Sequence, residues 1–326
     1  MDALRDSFGR RFAYLRISVT DACNFRCTYC LPDGYKKMHS AALLTLNEIK
    51  NLVEGFAEIG TRKIRLTGGE PTLRRDLLEI ASTVSAVEGI EQVALSTNGH
   101  NLKDNAGRFQ QSGISRINVS IDTLDRDRFT KITGVDRLPQ IMAGIDECLS
   151  LGYQAVKVNA VLMRATGSDQ IAAFQNWIKD RPVAVRFIEL MRTSENGALF
   201  DGQHISSEIL IRRLRADGWA PQERGVTDGP AVEWSHPDFK GKIGIIAPYA
   251  KDFCASCNRL RISSRAGLRL CLFGEGEHSL RHLIQDSSQR LEMQDFVRSL
   301  LLKKEISHYL PDGRVGDNRS FSMIGG

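Results

Sequence analysis

Six short β-rich segments, at residues 13–19, 63–66, 92–96, 116–121, 155–161 and 183–190, alternate with five helical patterns over the first two thirds of this 326-residue chain. The helical patterns lie at 45–59, opened by a Thr45/Glu48 capping-box pair, and at 73–87, 102–111, 138–149 and 168–179. Strands separated by helices pair in parallel through right-handed crossovers, which restricts the chain to an α/β architecture. Every conspicuous motif follows a strand: a cysteine run after the first, G-G-E-P at 68–71 after the second, T-N-G at 97–99 after the third. S-I-D at 120–122 and E-L-M at 189–191 close the fourth and sixth. In β/α barrels the strand C-termini form the face that carries chemistry. The expected fold is therefore an incomplete (β/α)6 TIM-type barrel. Eight strands close such a barrel, so the last third is expected to be a C-terminal α+β extension covering the barrel opening. The expected domains are residues 1–204 and 205–326.

Strand periodicity adds a functional constraint. Parallel strands covered on both faces usually read as continuous apolar runs, yet here Arg16 and Ser18 alternate with Leu15, Ile17 and Val19. Likewise Lys63 and Arg65 alternate with Ile64 and Leu66, Asn118 and Ser120 with Ile117, Val119 and Ile121, and Lys157 and Asn159 with Val156 and Val158. The outer face must pack against helices, so the polar set faces the lumen. Unpaired buried charge costs several kcal/mol per ion; a lumen carrying Arg16, Lys63, Arg65 and Lys157 is thus expected to be wet and to hold an anion. The competing reading is that these charges sit at strand ends and reach solvent.

The cysteines form two groups. Cys23, Cys27 and Cys30 are spaced C-x3-C-x2-C, and Cys254, Cys257 and Cys271 are spaced C-x2-C-x13-C. Structural zinc and ordinary 4Fe-4S clusters take four protein ligands. Three thiols leave one position open, unless a distant residue such as His278 or His282 completes a zinc set. Arg259 and Arg261, two apart on an expected strand, share one face and suit phosphate oxygens. Cys148, on an expected helix, reads as a small buried apolar residue. Grouped cysteines do not resemble a secreted disulfide framework, and no signal core or membrane-length apolar run is present. A cytoplasmic location without membrane association is expected. The net charge of +5 bears only on solubility. No Walker A motif occurs, which argues against phosphoryl transfer. Beyond a polar loop at 192–204, a helix is expected at 207–216, antiparallel strands at 231–234 and 242–246, and bracing helices at 277–285 and 290–302.

The first cysteine run, with Tyr29 before its last thiol and G-G-E-P one strand later, resembles the radical S-adenosylmethionine superfamily. With the second triplet, N-R-L-R at 258–261 and the terminal Gly325 and Gly326, the chain is similar over residues 16–326 to the GTP 3',8-cyclase family of molybdenum cofactor biosynthesis. Ala22, where relatives often carry a basic residue, does not touch ligation. The resemblance implies two 4Fe-4S clusters, one on Cys23, Cys27 and Cys30 that chelates S-adenosylmethionine, the other on Cys254, Cys257 and Cys271 that binds the guanine end of GTP. It implies cofactor contacts from Tyr29, Gly68, Gly69, Glu70, Ser120 and Met191. Substrate contacts would come from Arg16, Arg65, Thr97, Lys157, Arg259, Leu260 and Arg261, with Lys63, Arg186, Gly325 and Gly326 as further candidates. No catalytic residue is implied beyond the cluster ligands. The reaction implied is removal of a ribose 3' hydrogen by an adenosyl radical, followed by closure onto guanine C8. Implied partners are an electron donor such as flavodoxin or ferredoxin, a downstream pyranopterin monophosphate synthase and a second copy in a homodimer, without nucleic acid. Two alternatives stay open: another two-cluster radical enzyme, such as a peptide-modifying one, or a zinc module binding nucleic acid through an exposed basic stripe.

Overall fold

The computed structural model describes residues 3–36, 42–166 and 169–317. The strands β1 (Tyr14–Thr20), β2 (Lys63–Gly68), β3 (Gln92–Thr97), β4 (Arg116–Ser120), β5 (Ala155–Leu162) and β6 (Val183–Glu189) pair in that order, each parallel to the next. Between them run α1 (Leu46–Glu58), α2 (Leu77–Ser85), α3 (Leu102–Gln111), α4 (Arg126–Thr133), α5 (Leu138–Ser150) and α6 (Asp169–Ile178). The capping box is formed: the Glu48 backbone N–H donates to Thr45 Oγ1 at 3.2 Å, and the Thr45 N–H to the Glu48 carboxylate at 2.8 Å. Ile49, Leu52, Val53 and Phe56 line the buried face of α1, each contributing about 1.5–3 kcal/mol by burial.

Two departures have local causes. A helix expected from residue 73 begins only at Leu77. Glu70 caps a short 3-10 turn at Pro71–Leu73, and extended Arg74 then donates to the carbonyls of Val19 and Leu44, pulling the chain out of helical conformation. The unanticipated α4 is bounded by an Asp125 N-cap and by Gly134 in the left-handed region at φ 76°.

The last third contributes α7 (Gly197–Gln203), within the expected polar loop, then α8 (Glu208–Ala216), β7 (Ala220–Pro221), β8 (Val232–Ser235) and β9 (Lys242–Ile246). It continues with β10 (Arg259–Ile262), β11 (Gly267–Arg269), β12 (His278–Ser279) and α9 (Arg290–Leu301). β9 joins β6 in parallel, and β10 joins β1 in parallel. Among the described residues the parallel sheet therefore has eight strands, ordered β10-β1-β2-β3-β4-β5-β6-β9, with antiparallel β11–β12 beyond one edge and β8–β7 beyond the other. The helix expected at 277–285 is absent, replaced by β12 and a 3-10 turn at Arg281–Leu283. Pairing of His278 with Leu268 and a 2.8 Å bond from the Leu280 N–H to the Ala266 carbonyl hold that segment extended.

One apolar core runs through both halves, taking Leu15, Ile49 and Ile117 together with Leu260, Leu268 and Val297. Cys148 is buried in it. No helix among the described residues is long and apolar enough to cross a membrane.

The turn after β2 is the tightest part of this frame. Gly68 has φ 149°, and a Cβ there would lie 2.1 Å from the Thr20 carbonyl oxygen. Gly68→Ala is expected to lower stability by about 1–3 kcal/mol from backbone strain alone. In contrast, Gly107 on α3 faces open space, so Gly107→Ala is expected to raise stability by roughly 0.5–1 kcal/mol. Urea midpoints of the two variants, moving in opposite directions, check both.

Candidate active site

A cavity of about 920 Å³ is lined by all six cysteines of the two triplets. The first triplet follows β1. There the Cys30 and Leu31 N–H groups both donate to the Cys27 carbonyl at 2.9 Å, and the α4 C-terminus accepts from the loop, Arg26 to Thr133 and Thr28 to Ile132. The G-G-E segment crosses beside this loop. Its Gly69 N–H donates to Thr20 and its Glu70 N–H to Ala22, while a Cβ on Gly69 would meet the Ala22 carbonyl at 2.3 Å. The second triplet straddles β10 and β11, with the Cys257 N–H donating to the Cys254 carbonyl at 3.1 Å.

All six thiols are free. At Cys27 and at Cys254 burial raises the thiol pKa and the other two cysteines of the same triplet add to it, which places each triplet's members as neighbours. Among the described residues, no three His, Cys, Asp or Glu side chains converge as they would on a single metal ion. Three unbridged thiols at each of two places around one cavity are the donor chemistry of iron-sulfur clusters.

The electrostatics of the two places differ. Burial pushes Cys23 up to about 11, with the Glu70 carboxylate adding to it, and pushes Cys27 well above the usual thiol range, with Asp122 adding. At Cys257 burial acts the same way but is outweighed by Arg259, Lys304 and Arg10, leaving the thiol below its ordinary value. The second triplet thus sits among cations.

Parity along the strands places the polar set in the lumen as expected. Arg16, Arg65, Asn118, Ser120 and Asn159 all line the cavity. In register, Arg261 on β10 lies beside Arg16 on β1, which lies beside Arg65 on β2. Burial, then repulsion from Arg261, pushes Arg16 well below its ordinary value; burial and Arg259 bring Arg261 down to about 10. Such crowding favours an anion in the cavity. Arg65 donates to Ser96 Oγ at 2.9 Å and to the Tyr14 hydroxyl.

Of the residues expected to contact a cofactor, Tyr29, Gly68, Gly69, Ser120 and Met191 line the cavity, and Glu70 does not. Glu70 is fully buried; its carboxylate accepts from Thr97 Oγ1 at 2.8 Å, the Asn98 N–H at 2.6 Å and Thr72. Of the expected substrate contacts, Arg16, Arg65, Thr97, Arg186, Arg259 and Arg261 line it. Lys63 does not, its ammonium donating to the Thr227 carbonyl at 3.1 Å; nor does Lys157, bonded to Glu233 at 2.6 Å. Strand alternation sends the Leu260 side chain the other way, into the core beside Leu15. Gly325 and Gly326 lie outside the described residues.

Sequence reasoning missed three supports. Glu233 accepts from Lys157 and, at 2.8 Å, from Arg186; its signal was the alternation of β8, which sets it opposite buried Trp234. Gly244 leaves the space that Arg186 fills, since a Cβ there would meet Arg186 Cγ at 2.7 Å. Asp122 accepts from the Tyr29 hydroxyl at 2.9 Å and the Val161 N–H at 2.8 Å, and burial lifts its carboxyl to about 6.

Against its burial, Lys157 and Arg186 hold Glu233 down at about 2. Its carboxylate therefore stabilises the fold fully above the unfolded value near 4.3, and this contribution is lost as pH falls through about 2. Glu233→Gln is expected to cost roughly 2–4 kcal/mol at pH 7, less than for a fully buried pair because its side chain stays 22% exposed. The variant's penalty should shrink on acidification, as read from urea midpoints at pH 7 and pH 3; an equal penalty at both would contradict it.

The radical SAM superfamily model matches residues 17–178, and the Molybdenum Cofactor Synthesis C model matches residues 183–310. The GTP 3',8-cyclase of Vibrio atlanticus (strain LGP32) is 49% identical over 323 residues, covering 98% of this chain and 97% of its own. That of Aeromonas hydrophila subsp. hydrophila is 48% identical over 331 residues, covering 100% and 97%. Among solved structures, Streptococcus suis SuiB bound to S-adenosylmethionine superposes with a TM-score of 0.61 at 13% identity, covering 90% of this chain and 72% of that one. Native anSMEcpe, with bound AdoMet and the Cp18Cys peptide, gives 0.56 at 14% identity, covering 89% and 83%. These structural likenesses show a shared fold.

Proposed function

Because the chain belongs to the GTP 3',8-cyclase family of the radical S-adenosylmethionine superfamily, we propose that it converts GTP and S-adenosylmethionine to (8S)-3',8-cyclo-7,8-dihydroguanosine 5'-triphosphate, 5'-deoxyadenosine and methionine. This is the first step of molybdenum cofactor biosynthesis. The observation that carries the proposal is a single cavity lined by both cysteine triplets and by arginines from β1, β2, β6 and β10.

Cys23, Cys27 and Cys30 would hold one 4Fe-4S cluster, and Cys254, Cys257 and Cys271 the other. When bound, the clusters and S-adenosylmethionine supply the one-electron chemistry that opens an unactivated C–H bond. The chain's own residues bind, orient and shield. Arg16, Arg65, Arg259 and Arg261 offer guanidinium forks to the triphosphate, each contact charge-assisted; an incoming anion relieves the repulsion already present among them. Arg186 is aimed by Glu233 and given room by Gly244. Lys63 and Lys157 serve as a reserve of positive charge behind the lining. Gly68 and Gly69 bring backbone up to the amino acid end of S-adenosylmethionine without side chains in the way, while Glu70 fixes the strand end that presents them. Tyr29, Ser120 and Met191 complete that wall.

Residues 1–204 form the radical-generating half and residues 205–326 the half that selects substrate and covers the barrel opening. The enzyme works in the cytoplasm as a homodimer, takes electrons from a flavodoxin or ferredoxin and passes its product to the pyranopterin monophosphate synthase. Gly325 and Gly326 complete the set of candidate substrate contacts.

After anaerobic reconstitution, reductive formation of 5'-deoxyadenosine should rise on adding GTP and not on adding ATP or peptides. Arg261→Ala should lower kcat/KM for GTP by about 10- to 100-fold, the worth of a lost hydrogen bond to a charged group. A colourless zinc-loaded protein, or cleavage indifferent to GTP, would sink the proposal.

A further inference from the structure

The second triplet lies in turns rather than in regular structure, and something must hold those turns. The N-terminal segment does so through a buried pair. Asp6 accepts at Oδ1 from the Phe8 and Arg10 N–H groups, both at 3.0 Å, and at Oδ2 from Arg10 Nε at 2.5 Å. Asp6 is 6% and Arg10 8% exposed. With Nε satisfied by its counter-ion, the rest of the guanidinium is aimed elsewhere. Arg10 Nη1 donates to the Cys254 carbonyl at 3.2 Å and the Ile306 carbonyl at 2.9 Å, and Nη2 donates to the Glu305 carbonyl at 2.7 Å.

The segment it grips makes its own contacts with the triplet. Lys304, 5% exposed, donates to the carbonyl of Leu270, the residue before Cys271. The Ser307 hydroxyl donates to Cys254 Sγ at 3.9 Å. Both Arg10 and Lys304 line the cavity. A plain structural ion pair with Asp6 would not need donors spread over three carbonyls from two distant loops. A planar fork with five N–H groups can do this; a lysine ammonium, a point charge with three donors, cannot reproduce its geometry.

We propose that Arg10 is the positioning residue of the second cluster site: with Lys304 it pins the turns carrying Cys254 and Cys271 into a cation-backed cradle for a buried anionic cluster, leaving the first site independent. This rests on the reading that the second triplet holds a cluster. Hydrogen bonds and charge beside cluster ligands tune such a centre as well as hold it.

The test uses the full chain in two backgrounds that isolate the sites. One carries alanine at Cys23, Cys27 and Cys30, the other alanine at Cys254, Cys257 and Cys271. Each is combined with Arg10→Ala and, separately, with Arg10→Lys and Lys304→Met, reconstituted anaerobically, and assayed for iron per chain and low-temperature EPR.

With only the second triplet intact, Arg10→Ala should take iron from about four per chain to a small residue. Arg10→Lys should restore only part of it and shift the EPR signal, and Lys304→Met should lose iron too. With only the first triplet intact, all three substitutions should leave iron and spectrum unchanged, which a mere folding defect would not. Equal iron and an identical spectrum in the second-site background would overturn the proposal, as would equal losses in both. If the second-site parent binds no iron before any substitution at Arg10, the underlying reading fails and takes this inference with it.

Discussion

The parallel pairing of β10 with β1 is the constraint on which the site depends. It brings Arg261, from the last third of the chain, into register with Arg16 and Arg65 near its start. The segments before β10 and after β11 then deliver Cys254, Cys257 and Cys271 to the cavity that Cys23, Cys27 and Cys30 already line. Like charges in adjacent strands repel, and burial magnifies the repulsion. The register is tolerable because the apolar residues between them, Ile17, Leu66, Leu260 and Ile262, are buried in the core on the other face. An anionic ligand that binds only the folded state would add its binding free energy to stability.

A set of carboxylates, of which Glu70, Asp122 and Glu189 are buried, braces the strands around the cavity. Glu70 joins β2 to the Thr97–Asn98 corner, and Asp122 joins β4 to Tyr29 and β5. Glu189 accepts from His204 at 2.9 Å and from Ser207 Oγ at 2.6 Å, fastening the end of β6. Glu233 anchors Lys157 and Arg186 from the far sheet edge. Fixing these groups before any ligand arrives is the preorganisation that a site handling reactive species needs.

The first six strands and the inward-facing side chains were legible because period-two alternation is local. Arg16, Arg65 and Ser120 lie where that alternation put them. The edges of the sheet were not legible: a parallel partner elsewhere in the chain leaves no local mark, so β9 and β10 read only as short strands. Lys63 and Lys157 share the lumen's parity but find partners in Thr227 and Glu233 instead of facing the cavity; parity gives a direction, not a depth. Leu260 shows the converse, its motif neighbours facing in while it faces out. The stretch at 277–285 has helical spacing, yet pairing with β11 overrides it.

The central claim is that one cavity serves both triplets, so that substrate held at the second is attacked by chemistry begun at the first. Transfer of label measures this directly. With GTP deuterated at the ribose 3' carbon, a single turnover should place the deuterium in 5'-deoxyadenosine. Unlabelled 5'-deoxyadenosine formed alongside cyclised product would contradict it.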